Sequence, residues 1–485
     1  MKNFLYALLM IVSAVRGIAA TYYVSPSGNN SNNGLSATTA WLTLQYASNT
    51  VLPGDSVIVL PGTYSGFYHT TSGTSAQPIV FAAQPGVLIN LPNATTNDGI
   101  NLEGASYIVI EGFHIYGLPR TGIRSVLNNH VTIKNNVCDS CYKWGILTGF
   151  SDDILIENNE CSRSVDEHGI YFSNSADNPV IRGNHCWGNH ANGIHMNGDI
   201  SLGGDGIISN ALVENNIIHD NGVAGGSAIN CDGVQNSVIR NNLAYNNHAS
   251  GISLYRIDGG GGSSGNVVVN NTVLQPSDGR WALNISDGST NNTAFNNIFY
   301  STHAFRGSIS IDALSMPGFH SNYNILTNRM SDDGGNSNMT LVQWQTTTQL
   351  DSNSVIATPV ALFVNPPAND YHLLSTSPAK DMGRAMYYSA AAPVSDLDEI
   401  ARPQGPYHDA GCYEYLAPAG VREKTSLAFP WDGILPDEHI LLSDVSGKVI
   451  YKGIKRSLYM INVPDGIYIV WTTDKKKSFK IFFCK

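Results

Sequence analysis

Side chains able to do chemistry recur at fixed positions of one short pattern. Gly-Ile, or a close equivalent, opens an alternating run at Gly99-Ile100, Gly122-Ile123, Gly145-Ile146, Gly169-Ile170, Gly193-Ile194, Ala228-Ile229, Gly251-Ile252 and Ala282-Leu283. Side chains alternate across a strand, so an inward Ile sends the first and third residues after it outward. The first outward column reads Asn101, Arg124, Leu147, Tyr171, His195, Asn230, Ser253, Asn284. The second reads Glu103, Val126, Gly149, Ser173, Asn197, Asp232, Tyr255, Ser286, with Asp199, Arg256, Asp258 and Asp287 at the strand ends. Imidazole, phenol, carboxylate and guanidinium groups thus converge on a few adjacent rungs. A groove lined this way suits sugars, which present hydroxyl edges and apolar faces. Tyr171, Asn197 and Asn230 are the expected contacts, joined by Glu167 and His168 at the mouth of the same strands. The alternative for this face is a solvated sheet with Asn ladders. For His168, which alternation turns inward or onto a corner, it is a satisfied structural histidine.

Two chemistries fit these residue types. Elimination beside a carboxylate needs a base, an acid for the leaving oxygen and a cation. His195 or Tyr255 would move protons and Arg256 would bind the carboxylate. Asp199 and Asp232, with Asn197 or Asn230, would hold Ca²⁺ through hard oxygen ligands. The outward columns contain no lysine, and Lys143 stands only near a strand start. Hydrolysis would instead use Asp199 and Asp232 as paired carboxylates about 8 Å apart, a separation that suits inversion. A third possibility is binding without turnover. The Gly-rich run from Gly259 to Gly262 precedes no helix and lacks a phosphate-loop lysine, so it reads as a flexible insertion beside the groove.

The elements that must position these groups announce themselves by repetition. An apolar residue precedes a terminal Asn in Ile133-Lys134-Asn135-Asn136, Ile156-Glu157-Asn158-Asn159, Ile181-Arg182-Gly183-Asn184 and Val213-Glu214-Asn215-Asn216. The pattern continues in Ile239-Arg240-Asn241-Asn242, Val268-Val269-Asn270-Asn271 and Ala294-Phe295-Asn296-Asn297. Successive terminal Asn residues are 23, 25, 32, 26, 29 and 26 positions apart, the near-constant period of a solenoid. Asn tolerates left-handed backbone at a bend, and stacked Asn side chains can hydrogen-bond along the axis. Two residues on lie Cys138, Cys161, Cys186, Ile218, Ala244, Val273 and Phe299, an inward column in which the cysteines are core filler. The expected fold class is all-β: a right-handed parallel β-helix of roughly eight to ten coils, followed by a small C-terminal β-sandwich.

Composition agrees. Charged residues make up 13 %, Gly numbers 47 and the formal charge is −11, which disfavours helices and nucleic acid as partner. Seven cysteines leave at least one unpaired within the chain, and Cys138/Cys141 lacks the second pair of a zinc site. Residues 1–20 read as a signal peptide with an apolar run after Lys2, and no later stretch is long and apolar enough to be a transmembrane anchor. A monomer is expected.

The flanks carry resemblances. Tyr22-Tyr23-Val24-Ser25-Pro26-Ser27-Gly28, Pro53-Gly54-Asp55 and Pro61-Gly62-Thr63-Tyr64 resemble the opening segment of extracellular β-helix proteins, among them polysaccharide lyases of the pectate-lyase type. This resemblance implies a β-helix over 21–330 and a lyase acting on a uronate-containing polysaccharide. The tight aspartate set of polygalacturonase-type hydrolases is not seen. Asp370-Tyr371-His372-Leu373, Ser377-Pro378-Ala379, Arg402-Pro403 and Asp409-Ala410-Gly411-Cys412-Tyr413-Glu414 resemble the tail of secreted bacterial β-helix proteins, within an irregular cap expected over 331–416. Asp444-Val445-Ser446-Gly447-Lys448 and Asp465-Gly466-Ile467-Tyr468-Ile469-Val470 resemble the sorting domain of type IX secretion, over 421–485. That resemblance implies the secretion machinery as a partner, and a secreted or cell-surface protein.

Overall fold

The computed structural model of the chain describes residues 19–417, 439–444, 448–454, 466–472 and 478–483. Three short strands per turn, each with alternate apolar residues, stack in register as a parallel β-solenoid. Sheet I has 12 strands, from Thr21–Val24 to His320–Asn322. Sheet II has 12, from Gly62–Ser65 to Val355–Ile356, and sheet III has 11, from Phe67–His69 to Met330–Ser331. The solenoid is therefore longer than eight to ten coils. Its first and last turns pair normally but lack the Gly-Ile and Asn-Asn signatures by which coils can be counted in the sequence.

The Asn pairs divide the corner between sheets I and II into two tasks. The first Asn takes the left-handed backbone, with φ of 56° at Asn135, 54° at Asn158, 57° at Asn215, 53° at Asn241, 55° at Asn270 and 56° at Asn296. The second is buried and makes the ladder. Asn136, Asn159, Asn184, Asn216, Asn242, Asn271 and Asn297 each donate backbone N–H and Nδ2 to the Oδ1 of the next Asn at 2.9–3.1 Å, ending on Asn324. Buried amides are thus satisfied by one another. Two residues on, Cys138, Cys161 and Cys186 pair in register inside the core, fully buried and free.

Both ends of the apolar core are covered. At the start, the helix Leu44–Thr50, capped by the Thr43 side chain, buries Leu44 and Ala47. At the other end, the helix Leu341–Thr348 begins with a Thr340/Gln343 capping box and places Trp344 in the solenoid core. The rest of the irregular segment is a strap along sheet II, where Leu362, Phe363, Tyr371 and Cys412 cover Leu243, Leu274, Ile298 and Ile325. The left-handed Asn residues fasten it: Asn241, Asn270 and Asn296 donate Nδ2 to the carbonyls of Ser395 (2.7 Å), Asp409 (2.8 Å) and Arg384 (2.8 Å).

A second compact unit spans residues 416–485. Its described residues form one four-stranded antiparallel sheet in the order Val449–Ile454, His439–Asp444, Gly466–Thr472, Ser478–Phe483. The expected leader falls mostly on residues 1–18, outside the described residues, as do parts of both sorting-domain segments and Cys484. Among the described residues no helix is long and apolar enough to cross a membrane.

Candidate functional site

Sheet III has the register the Gly-Ile pattern requires. Leu147, Tyr171, His195, Asn230 and Ser253 are partners on consecutive strands, and so are Gly149, Ser173, Asn197, Asp232 and Tyr255. The Ile residues beside them, from Ile100 to Ile252, are fully buried. Rings stack along the first column: Trp144 on Tyr171 at 5.6 Å and Tyr171 on His195 at 5.0 Å between centroids. The Tyr171 hydroxyl accepts from Asn197 Nδ2 at 3.2 Å.

A polar chain runs along the corner where the strands begin. Lys143 Nζ donates to Glu167 Oε1 at 2.6 Å, and Trp144 Nε1 to Glu167 Oε2 at 2.8 Å. His168 Nε2 lies 3.7 Å from Glu167 Oε2 and 3.0 Å from His195 Nδ1. The backbone N–H of Asn192 donates to His168 Nδ1 at 3.3 Å. Asn192 Oδ1 accepts from the Ser227 amide at 2.6 Å and from Asn230 Nδ2 at 2.9 Å. Both His168 and Glu167 therefore belong to this network, at the mouth of the strands.

The network fixes where the protons are. An amide N–H can only donate, so His168 Nδ1 is the acceptor and its proton sits on Nε2. His168 then donates to His195 Nδ1, leaving the His195 proton on Nε2, a buried atom with no partner in the protein. Burial holds His195 down to about 4, and burial together with the neighbouring His195 and Lys143 holds His168 well below the usual range. His195 is thus a neutral donor at neutral pH. The hydrogen bond to Glu167 raises Lys143, which is a cation at rest. Burial, then the Asp232 charge, push the Tyr255 hydroxyl far up, so it keeps its proton.

Two expected roles do not survive. Asp232 is 1 % exposed, and its carboxylate accepts from the backbone N–H groups of Ile257 (2.9 Å), Asp258 (2.8 Å) and Gly259 (2.9 Å). It anchors the Gly-rich loop, which is ordered by this cradle. Asp199 has left-handed backbone and caps the turn Ile200–Leu202, accepting from Ser201 N at 3.0 Å and Ser201 Oγ at 2.5 Å. Asp199 and Asp232 are thus each committed to backbone, and form neither the paired carboxylates of hydrolysis nor a joint cation cage. Among the described residues no group of three or more His, Cys, Asp or Glu side chains could hold a metal ion. Arg256 is exposed at the start of the loop and makes no ion pair or hydrogen bond among the described residues.

Lys143, Trp144 and Asn192 belong to the same site, although the columns did not mark them. The readable signal was the residue two before each inward Ile: Asp98, Thr121, Trp144, His168, Asn192 and Ser227. Alternation turns this position inward, but the strand has barely begun there, and the corner lets Trp144 and His168 swing onto the outer face.

Comparison with known proteins agrees on architecture. The family described as periplasmic copper-binding protein (NosD) matches residues 48–210, less than half of the chain. No curated protein matches it in sequence. Among solved structures, a pectate lyase aligns at a TM-score of 0.54 and 18% identity, over 82% of this chain and 98% of that one. A rhamnogalacturonan lyase aligns at 0.41 and 17% identity, over 58% and 82%. The complex of XylC with xylose aligns at 0.48 and 11% identity, over 82% and 98%. The chain has the parallel β-solenoid fold that the pectate lyase displays.

Proposed function

We propose that this chain seats an extended polysaccharide along the outer face of sheet III and cleaves a uronate-containing polymer by β-elimination. The observation that carries the reading is the continuous chain from Lys143 through Glu167 and His168 to His195, beside the stacked Trp144–Tyr171 floor. Stacked rings and unpartnered polar atoms suit sugar rings and their hydroxyls. Polymer lying over the Lys143–Glu167 ion pair excludes water, which favours its neutral amine–acid form and frees the amine as base. Tyr255, kept protonated, and unpaired Arg256 stand four rungs along the sheet from Lys143 and hold a uronyl group further along the polymer, while water protonates the leaving oxygen. Asn197, Asn230 and Tyr171 bind substrate. Hydrolysis through Asp199 and Asp232 is disfavoured because both carboxylates serve the backbone. The pectate lyase among the solved structures agrees in architecture, and the C-terminal unit serves as a sorting domain for export.

The test is a screen of purified protein against neutral and acidic polysaccharides, with and without Ca²⁺, reading unsaturated uronyl absorbance and new reducing ends. Both rising together supports the lyase. Reducing ends without absorbance overturns elimination, and binding without either signal makes the chain an adhesin. A Ca²⁺ requirement would place the ion elsewhere than on the Asp199/Asp232 pair.

A further inference from the structure

We infer that the groove extends to a distal anchoring subsite at Arg280 and Arg306, which binds carboxylates of the polymer five and six rungs along the sheet from Lys143. The inference rests on the uronate reading above, and adds where the far part of the chain is held.

Register is the first argument. The inward column of sheet III runs in register from Ile146 to Ile309. The position three before each inward residue lies on the corner where the strands begin. It carries Lys143 and Glu167 on the first two rungs, then the small residues Ala191, Gly226 and Ala249, then Arg280 and Arg306. Backbone bonds hold this alignment: Ala191 N–H donates to the Glu167 carbonyl at 2.8 Å, and Arg280 N–H to the Ala249 carbonyl at 2.7 Å. At one strand spacing per rung, Arg280 stands about 24 Å and Arg306 about 29 Å from Lys143. The small residues between them keep the edge low, so an extended chain can pass over it.

Charge is the second argument. Lys143 is already taken up, by Glu167 at 2.6 Å and Asp166 at 3.8 Å. Arg280 is exposed and Arg306 half-buried, and neither guanidinium makes an ion pair or hydrogen bond among the described residues. Asp278, two residues before Arg280, is turned to His248 at 2.7 Å. A guanidinium fork matches a carboxylate with two N–H donors, and a free polyuronate offers one carboxylate per sugar.

The loop that presents Arg306 is built. His303 Nδ1 accepts from the backbone N–H groups of Phe305 and Arg306, both at 2.9 Å. Arg329 donates to the carbonyls of Ser301 (2.9 Å), His303 (2.7 Å) and Arg306 (3.0 Å). Arg329 is thus a positioning residue, which spends its donors on the loop so that Arg306 keeps its own for a ligand.

The experiment follows uronyl absorbance on uronate trimers, which fall short of that span, and on decamers, which exceed it. The parent is compared with the double variants Arg280→Ala/Arg306→Ala and Arg280→Lys/Arg306→Lys. For decamers the alanine variant should raise KM about 5-fold, the size of two partly solvated ion pairs, with kcat unchanged. Lysine should restore most of that loss, and added salt should erase the difference between the variants. Trimer kinetics should be the same in all three proteins. An unchanged decamer KM in the alanine variant overturns the anchor. An equal rise for trimers and decamers overturns its distal placement. No turnover of either oligomer by the parent overturns the elimination reading alone. The anchor is then read by calorimetry with decamers, where weaker binding to the alanine variant supports it and equal affinity overturns it.

Discussion

The outer faces of sheets I and III are built from the same repeat and have opposite characters. On sheet I, Glu111, Lys134, Glu157, Arg182, Glu214 and Arg240 are partners on consecutive strands. Their signs alternate, and ion pairs close between Lys134 and Glu111 (2.9 Å), Arg182 and Glu157 (2.6 Å), and Arg240 and Glu214 (2.7 Å). Each charge has its complement one rung away, so nothing is left to offer a ligand. On the central rungs of sheet III rings stack on rings, Tyr171 on Trp144 and on His195, and the His195 Nε2 donor has no partner. Matched polar groups mark a face that stabilises the solenoid, and unmatched ones mark a face that waits for something else. A buried unsatisfied donor costs about 1–3 kcal/mol, so it persists where a ligand or function compensates.

The largest expected difference between the faces is catalytic. Lys143→Ala and Glu167→Gln should each lower polysaccharide turnover by about 10²–10⁴-fold, with a melting temperature unchanged in calorimetry. Turnover retained in both variants would remove the pair from the reaction.

Next comes pH. His195 has its folded-state pKa depressed from 6.5 to about 4. The unfolded chain therefore binds its proton first, and stability present above pH 6.5 is lost as pH falls through about 4. Faced by His168 and Tyr171, with Lys143 and Glu167 behind, this group should account for roughly 2–3 kcal/mol of acid destabilisation. Denaturant titrations at pH 7 and pH 4 should show that loss, and His195→Gln should flatten it. Arg182→Ala on sheet I should leave the profile as it is.

Asp232→Ala distinguishes a loop anchor from a catalytic carboxylate. Loss of three backbone hydrogen bonds to a charged group should cost about 2 kcal/mol in chemical denaturation. It should also raise protease sensitivity at residues 257–259 before it affects kcat. Full stability with abolished turnover would restore Asp232 to the chemistry. The smallest effect is expected on the matched face, where Arg182→Ala should change stability by at most about 0.5 kcal/mol, because the pair is partly solvated. Its turnover should equal that of the parent.

Much of this molecule was legible before folding. Asn-Asn pairs at intervals near 26 residues require a coil of that length, and Gly-Ile requires an inward column that reverses side on the next residue. The register of Tyr171, His195 and Asn230, and that of Asn197, Asp232 and Tyr255, follows from those two rules alone. The alternating charges of sheet I were also present in Ile-Lys-Asn-Asn, Ile-Glu-Asn-Asn and Ile-Arg-Gly-Asn, one rung apart. Their meaning appears only when the strands are stacked.

What the sequence determined by itself is whatever depends on period: the solenoid, its inward columns, and which residues share an outer face. Tertiary structure alone decided what each polar atom does there. Whether Asp232 is a ligand or an anchor depends on a loop folding back to place three amides on it. Whether His195 accepts or donates depends on the direction of one N–H, that of Asn192, two side chains away. Periodicity is a local property that repeats along the chain, whereas hydrogen-bond polarity and charge compensation arise between residues that only the fold brings together.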